Sequence, residues 1–544
     1  VKPFYETWWF EWLFVAACWT AGWFLWHLLD HPFLDGAAAS AVYMELAKSI
    51  AEGHGYTLLH TTTSVPHLAH PPVYPLLLSW VMQGLHQNDL MKLIHPFKLL
   101  NLGFYLVSIF LVYRFSCRGI RKPYPFLITG LYALAPLTVS AAGSISSEMA
   151  FLVFSMTALL VIDKFFTDKG GGITRWDWVW GGFWVVLSIL TRNAGFALLA
   201  AYFLLALRHT GLKRSCVMLA LVLTVLSPWY LREIFYRNFY PNQELLVQEL
   251  GHETMVPHAA DPFADSDHFF SRMLENAEET LIDATQHTMG ALSFDRFEGG
   301  MFEKLHLDDV EVRFSEMPWV PWTLGVLVLF GVMVGMQGCS GIGSLYLGVF
   351  LAAACLIPIE RQTYYLLPIL PLMLFYLFMG VMRFGEWMAQ VKIPVSKVAV
   401  PALVVVIGVN CLAGHLEHLR ETRMIQAYYK PETSGGEMSG QQRGYLRALQ
   451  WIRTNTPPRV QIVARKPSST YVFTERKARP FPQYRQPERV LADLLRADYV
   501  LEEMGVRAVR NYLSPAIQRH PQHFRLVYND PGSQIRIWQV QSTP

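Results

Sequence analysis

Nine apolar runs long enough to cross a bilayer punctuate the chain, at 8–29, 95–113, 123–142, 147–165, 214–231, 318–337, 342–359, 363–383 and 396–414. A further stretch, 176–207, is too long for one span and is interrupted by "TRNAG" at 191–195, which predicts two short helices joined by a tight turn. The pattern predicts a polytopic α-helical membrane protein with about eleven crossings. "PPVYPLLLSWVMQGL", residues 71–85, is apolar but short and broken by proline, and predicts an interfacial or re-entrant helix. The first run has no small-residue cleavage site and reads as an anchor rather than a cleaved signal.

Polar positions between the runs set the orientation. One series of connections carries Arg114, Arg118, Arg121 and Lys122, then Lys164, Lys169 and Arg175, then Arg208, Lys213 and Arg214, then Arg383, Lys392 and Lys397. The alternate series offers only Arg192 and Arg361. By the positive-inside rule the first series is cytoplasmic. The 30–92 loop, the 232–317 loop and everything beyond about residue 416 then lie outside the cytoplasm.

After 417 the pattern changes. "YLRALQWIRTNT" has helical spacing, "RVQIVARKPSSTYVF" and "RADYVLEE" read as strands with flanks, and "FRLVYNDPGSQIRIWQV" reads as a hairpin turned at Pro531-Gly532. The division predicted is a transmembrane domain over 1–416 and a periplasmic α/β domain over 417–544, linked through the Gly- and Ser-rich 430–442. In the first outer loop, Val42, Leu46, Ile50 and Ala51 share one helical face while Glu45, Lys48, Ser49 and Glu52 do not, so 40–52 is predicted to lie along the outer interface.

Composition narrows the function classes. With 52% hydrophobic, 14% aromatic and 16% charged residues over 544 positions, the chain is too apolar for an ordinary soluble enzyme. A net charge of +3 with no long basic stripe argues against a nucleic-acid partner. Six cysteines are present and none follows Cys411, so the tail holds no disulfide.

Candidate chemistry gathers on the outer side. Asp30 and Asp35 follow the first span, at headgroup depth, and Glu148 in "GSISSEMAFLVF" opens another. A plainer reading of Glu148 is a helix N-terminal charge preceded by capping Ser146 and Ser147. His70 precedes a proline pair, Arg192 sits in an outer turn, and Arg361, Tyr364 and Tyr365 enter a span together, a set suited either to a phosphate or to an ordinary aromatic belt. "GHETMVPH" fails the zinc-protease pattern at Val256, and His54, His60, His67 and His70 match no standard zinc spacing, so a divalent metal is possible but unsupported by ligand spacing. "KGGGI" lacks the lysine of a P-loop. A transferase without a nucleotide site and with its acids outside needs an activated donor held in the membrane.

In order, the acidic first loop, "VYMELAKSIAEGHGYT", "HPPVYPLLLS", "SSEMAF", "LTRNAGFALL", "ERQTYYLLPILP" and the α/β tail resemble the GT-C membrane glycosyltransferases, in the branch of the protein mannosyltransferases and lipid A aminoarabinose transferases. The resemblance implies a polyprenyl-phosphate sugar donor, a lipid, glycan or protein acceptor arriving on the periplasmic side of the inner membrane, and membrane lipids as surroundings. It implies catalytic roles for Asp35 and Glu148, and donor-phosphate binding by His70, Arg192, Arg361, Tyr364 and Tyr365. Family members carry an acid about three residues before the tyrosine of the first loop; before Tyr43 that place is Ser40, so Asp35, with Asp30 behind it, is the nearest substitute. Independently of the resemblance, a phosphate leaving group calls for preorganised donors and the acceptor hydroxyl calls for a base, and one such displacement predicts inversion. The rival readings are a transporter or flippase, and a non-catalytic envelope assembly protein.

Overall fold

The computed structural model describes residues 7–29, 38–62, 65–167, 175–239, 276–277, 280, 319–337, 341–356, 365–389, 395–429, 440–484 and 486–541. Asp30, Asp35, Arg361, Tyr364 and nearly all of the 240–317 segment lie outside the described residues.

The chain is mainly helical. Among the described residues five helices are long and apolar enough to cross a membrane: Trp8–Leu29, Leu90–Gly119, Leu212–Tyr236, Leu367–Ala389 and Val398–Leu416. Label α1 as Trp8–Leu29, α2 as Ala38–Ala51, α3 as Val73–Leu85 and α4 as Leu90–Gly119. The predicted run at 123–142 is two helices, α5 (Tyr124–Ala133) and α6 (Pro136–Gly143), bent by 47°. Pro136 explains the break, because it has no N–H to donate into the preceding turn and its ring crowds that turn. A carbonyl at the break still finds a donor, Tyr105 Oη–H on Ala133 O, and at the far end of α6 Trp26 Nε1–H bonds Ala142 O at 3.2 Å.

α7 is Glu148–Thr167, and the interrupted apolar stretch forms α8 (Arg175–Ile189) and α9 (Gly195–Thr210), two helices about a turn as expected. α10 (Leu212–Phe239), α11 (Trp319–Gln337), α12 (Gly341–Leu356), α13 (Leu370–Ala389) and α14 (Val395–Tyr429) complete the bundle. α13 is its centre, buried from Leu370 to Val381, whereas α1 turns Trp8, Trp12 and Trp23 outward. α11 and α13 cross backbone to backbone at Gly331 and Gly380, where an added Cβ would overlap Tyr376 O and Leu327 O respectively.

α14 runs continuously through position 416, so the described backbone has no break at the predicted domain boundary. Beyond it, α15 (Gly440–Asn455), α16 (Pro467–Thr474), α17 (Pro487–Leu494) and α18 (Ser514–Arg519) pack on a mixed five-stranded sheet. The segment between α2 and α3 holds β1 (Thr57–Leu58) and β2 (Val65–Pro66); the tail holds β3 (Gln461–Val463), β4 (Lys477–Arg479), β5 (Tyr499–Glu503), β6 (Phe524–Asp530) and β7 (Ile535–Val540). The tail's sheet order is β4-β3-β5-β7-β6, with β3 parallel to β4 and β5, and β7 antiparallel to β5 and β6. The β6–β7 hairpin turns where expected. "PSSTYVFT" is helical rather than extended, because Pro467 sits in the first turn, where its fixed φ and missing N–H suit a helix start.

α2 departs from its expected place. Its polar positions are not laid against an interface but covered: Glu45 and Ser49 are fully buried, and Lys48 nearly so. The tail supplies the cover. Lys48 Nζ lies 3.5 Å from Glu475 Oε1, Lys477 Nζ–H donates to Thr61 O at 3.0 Å, and Ala478 N–H donates to His60 O at 2.9 Å. Glu45 accepts from His60, whose Nδ1 also lies 3.2 Å from Ser468 Oγ.

Candidate active site

Glu148 is the first residue of α7, and the turn before it is pinned from α4. Asn101 Nδ2 donates to Ser144 O at 2.5 Å and Ser146 O at 3.0 Å, while Tyr74 Oη–H donates to Asn101 Oδ1 at 3.1 Å. Ser147 Oγ lies 2.9 Å from Tyr43 Oη on α2. Arg192 is presented by the α8–α9 turn, where Thr191 Oγ1–H bonds Leu187 O at 2.7 Å and Gly195 N–H bonds Arg192 O at 2.9 Å. Gly195 is required there: a Cβ would come within 2.7 Å of Ile189 N. Val73 N–H, bonded to Leu190 O at 3.0 Å, ties this turn to the start of α3.

The two predicted charges meet. Arg192 Nη1 and Glu148 Oε1 form an ion pair whose side chains are 19% and 9% exposed. Nη1 also approaches Ser147 Oγ at 3.4 Å. Burial works against the Arg192 charge, and the Glu148 carboxylate with Tyr43 more than offsets it, leaving the guanidinium above its ordinary value. Nη1 alone is engaged among the described residues, so Nη2 and Nε remain for another acceptor. Tyr365 is within electrostatic reach of the same guanidinium.

His70 lies on the other side of Tyr43, ring centroids 4.7 Å apart and edge to face. Its Nδ1 is 2.7 Å from Nε2 of His67, which is buried and held by its own backbone: its N–H bonds Tyr56 O at 3.0 Å, and its carbonyl accepts from Arg232 Nη1 at 3.1 Å. Burial, then Arg192, pulls His70 down to about 4, with Glu148 opposing. Burial, then His70 and Arg232, pushes His67 well below the imidazole range.

Of the predicted site residues, Glu148, His70 and Arg192 thus share one region beside the start of α7 and the α8–α9 turn, with Tyr365 within electrostatic reach of Arg192, and Asp35, Arg361 and Tyr364 fall outside the described residues. Tyr43, Ser147, Asn101 and His67 were not singled out by sequence as site residues. His67 carried one signal, its three-residue spacing from His70. Among the described residues no group of three or more His, Cys, Asp or Glu side chains is arranged to hold a metal ion.

No family model matches the chain, and no curated protein matches it. Solved structures do. The fold is similar to that of ArnT from Cupriavidus metallidurans, in the apo state and bound to undecaprenyl phosphate, each with a TM-score of 0.54 at 12% identity over 97% of both chains. It is also similar to the oligosaccharyltransferase AglB from Archaeoglobus fulgidus in complex with an inhibitory peptide and a dolichol-phosphate, with a TM-score of 0.53 at 12% identity over 99% of this chain and 75% of that one. The likeness covers a helical membrane bundle with a sheet-containing tail, the general fold expected from the sequence.

Proposed function

We propose that the protein is an integral membrane glycosyltransferase that moves a sugar from a polyprenyl-phosphate donor to a lipid, glycan or protein acceptor on the extracytoplasmic face, with inversion. The observation that carries this reading is the Glu148–Arg192 pair, a buried carboxylate and guanidinium where a span begins, with Tyr43, His70 and Tyr365 around it. That pair stands in a fold shared with a protein solved with undecaprenyl phosphate.

The chemistry follows from charge. As the sugar–phosphate bond breaks, negative charge grows on the departing phosphate, and groups already aimed at it lower the barrier. Arg192, with Nη2 and Nε uncommitted among the described residues, is the first such group, because a guanidinium can fork two phosphate oxygens while Nη1 stays with Glu148. Tyr365 adds a hydroxyl nearby, and Arg361 and Tyr364 are assigned the same task from sequence. Glu148 keeps Arg192 in place and charged before the donor arrives. Asp35 is assigned to the acceptor hydroxyl, as base or orienting group.

The test is sugar transfer by the purified full chain from undecaprenyl-phosphate mannose and undecaprenyl-phosphate aminoarabinose, beside native mass spectrometry of bound undecaprenyl phosphate. Transfer should fall at least about 100-fold in Asp35→Asn and in Glu148→Gln. Undiminished transfer in both variants, or a wild type that does not bind the lipid phosphate, removes the assignment.

A further inference from the structure

The two histidines of the first outer loop determine each other's protonation. The His70 backbone N–H donates to His67 Nε2 at 3.2 Å. A ring nitrogen that accepts carries no proton, so neutral His67 bears its hydrogen on Nδ1. His70 Nδ1, 2.7 Å from that same acceptor nitrogen, must then be the donor, since two lone pairs cannot share the gap. A neutral His70 with its hydrogen on Nδ1 has a bare lone pair on Nε2. Among the described residues nothing hydrogen-bonds that nitrogen, and His70 as a residue is half-buried.

This tautomer cannot donate to a phosphate. It can receive a proton. We propose that His70 Nε2 takes the proton of the acceptor hydroxyl during transfer, with His67 as the positioning residue that fixes the tautomer. The inference rests on the glycosyltransferase reading above and leaves Asp35 to orient the acceptor. In the step, the acceptor oxygen bonds the anomeric carbon, the carbon–oxygen bond to phosphate breaks, and its electron pair leaves with the polyprenyl phosphate. The hydroxyl proton goes to His70 Nε2, and the imidazolium formed then releases it to a phosphate oxygen or to water.

The surroundings favour this. Arg192 and the buried position hold His70 neutral before attack, Glu148 stands ready to stabilise the imidazolium once formed, and the Tyr43 ring fixes the imidazole edge-on. With His70 held at about 4, kcat/KM should stay level from neutral pH down to about pH 5 and fall below it, rather than near the ordinary imidazole value of 6.5.

Three measurements on the full chain in lipid nanodiscs test the proposal. Nitrogen-15 spectra of histidine-labelled protein at neutral pH, with His70→Gln used to assign the signal, should show His70 protonated on Nδ1; protonation on Nε2 overturns it. His70→Gln should lower kcat by about 100-fold or more while undecaprenyl phosphate still binds as in the wild type. An equal loss of lipid-phosphate binding and turnover makes His70 a phosphate ligand instead and overturns the role. His67→Leu should lose most activity and His67→Gln recover it, because the glutamine carbonyl still accepts from His70 Nδ1; equal losses in both reduce His67 to packing. A wild type that binds no undecaprenyl phosphate defeats the function and this role together, whereas binding and transfer with an active His70→Gln defeats this role alone.

Discussion

Glu148 shows how much a single position owes to its partner. On its own it is a helix-start carboxylate, favoured by the helix dipole; paired with Arg192 it is half of a buried ion pair. Removing one member leaves the other charge buried without compensation, a loss of about 3–5 kcal/mol where such pairs have been broken. Arg192→Gln and Glu148→Gln should each lower the melting temperature of the purified protein, and the double variant should recover part of the loss; thermal melts of the three decide it. The histidine pair adds a pH dependence. The ordinary imidazole value is 6.5 and the folded His70 value is about 4, so over that window the unfolded chain binds more protons than the folded one. Stability should therefore decline as pH falls from about 6.5 towards 4, and the slope should flatten in His70→Gln, measured by melts across that range.

At the scale of elements, helix crossings and breaks were legible where a residue type forces them. The turn at 191–195 and the hairpin at Pro531-Gly532 announced themselves, since glycine and proline restrict the backbone whatever surrounds it. Pro136 and Pro467 carried equally local signals, a broken span and a helix start, which an apolar-run count and a β-rich composition passed over. The α11–α13 crossing was not legible, because a glycine in a span says nothing about which helix approaches it. It makes a sharp prediction all the same: Gly331→Val or Gly380→Val must push the two backbones apart and should sharply reduce folded yield and melting temperature. Gly103→Ala on α4, where an added Cβ meets nothing within 4 Å, should be neutral or slightly stabilising in the same assay.

For the whole molecule, the tail and the segment between α2 and α3 form one unit around α2. Tyr43, at the site, and Glu45 and Lys48, at the tail's contact, are neighbours on one short helix, so the tail bears on the position of the Tyr43 hydroxyl. Cutting the chain at a protease site inserted in 430–439 should leave the two fragments bound to each other, held by Lys48–Glu475, Lys477–Thr61 and the Ala478–His60 bond. Co-purification after cleavage tests this, and Lys48→Ala combined with Glu475→Ala should loosen the pair. Truncation after 430, which removes Glu475, Lys477 and Ala478 from their contacts with Lys48, Thr61 and His60, should abolish activity even though no tail residue touches Arg192 among the described contacts.

Sequence alone determined the membrane class, the order of pieces that resembles GT-C enzymes, and Glu148, Arg192 and His70 as residues of interest, because hydropathy and charge act through composition along the chain. Only the tertiary structure decided that Glu148 and Arg192 form a buried ion pair, that His67 Nε2 lies 2.7 Å from His70 Nδ1, and that Lys48 on α2 is met by Glu475, a residue some 400 positions further along. Each of these is a contact between distant segments, and polar residues look alike in sequence whether water or another part of the protein satisfies them.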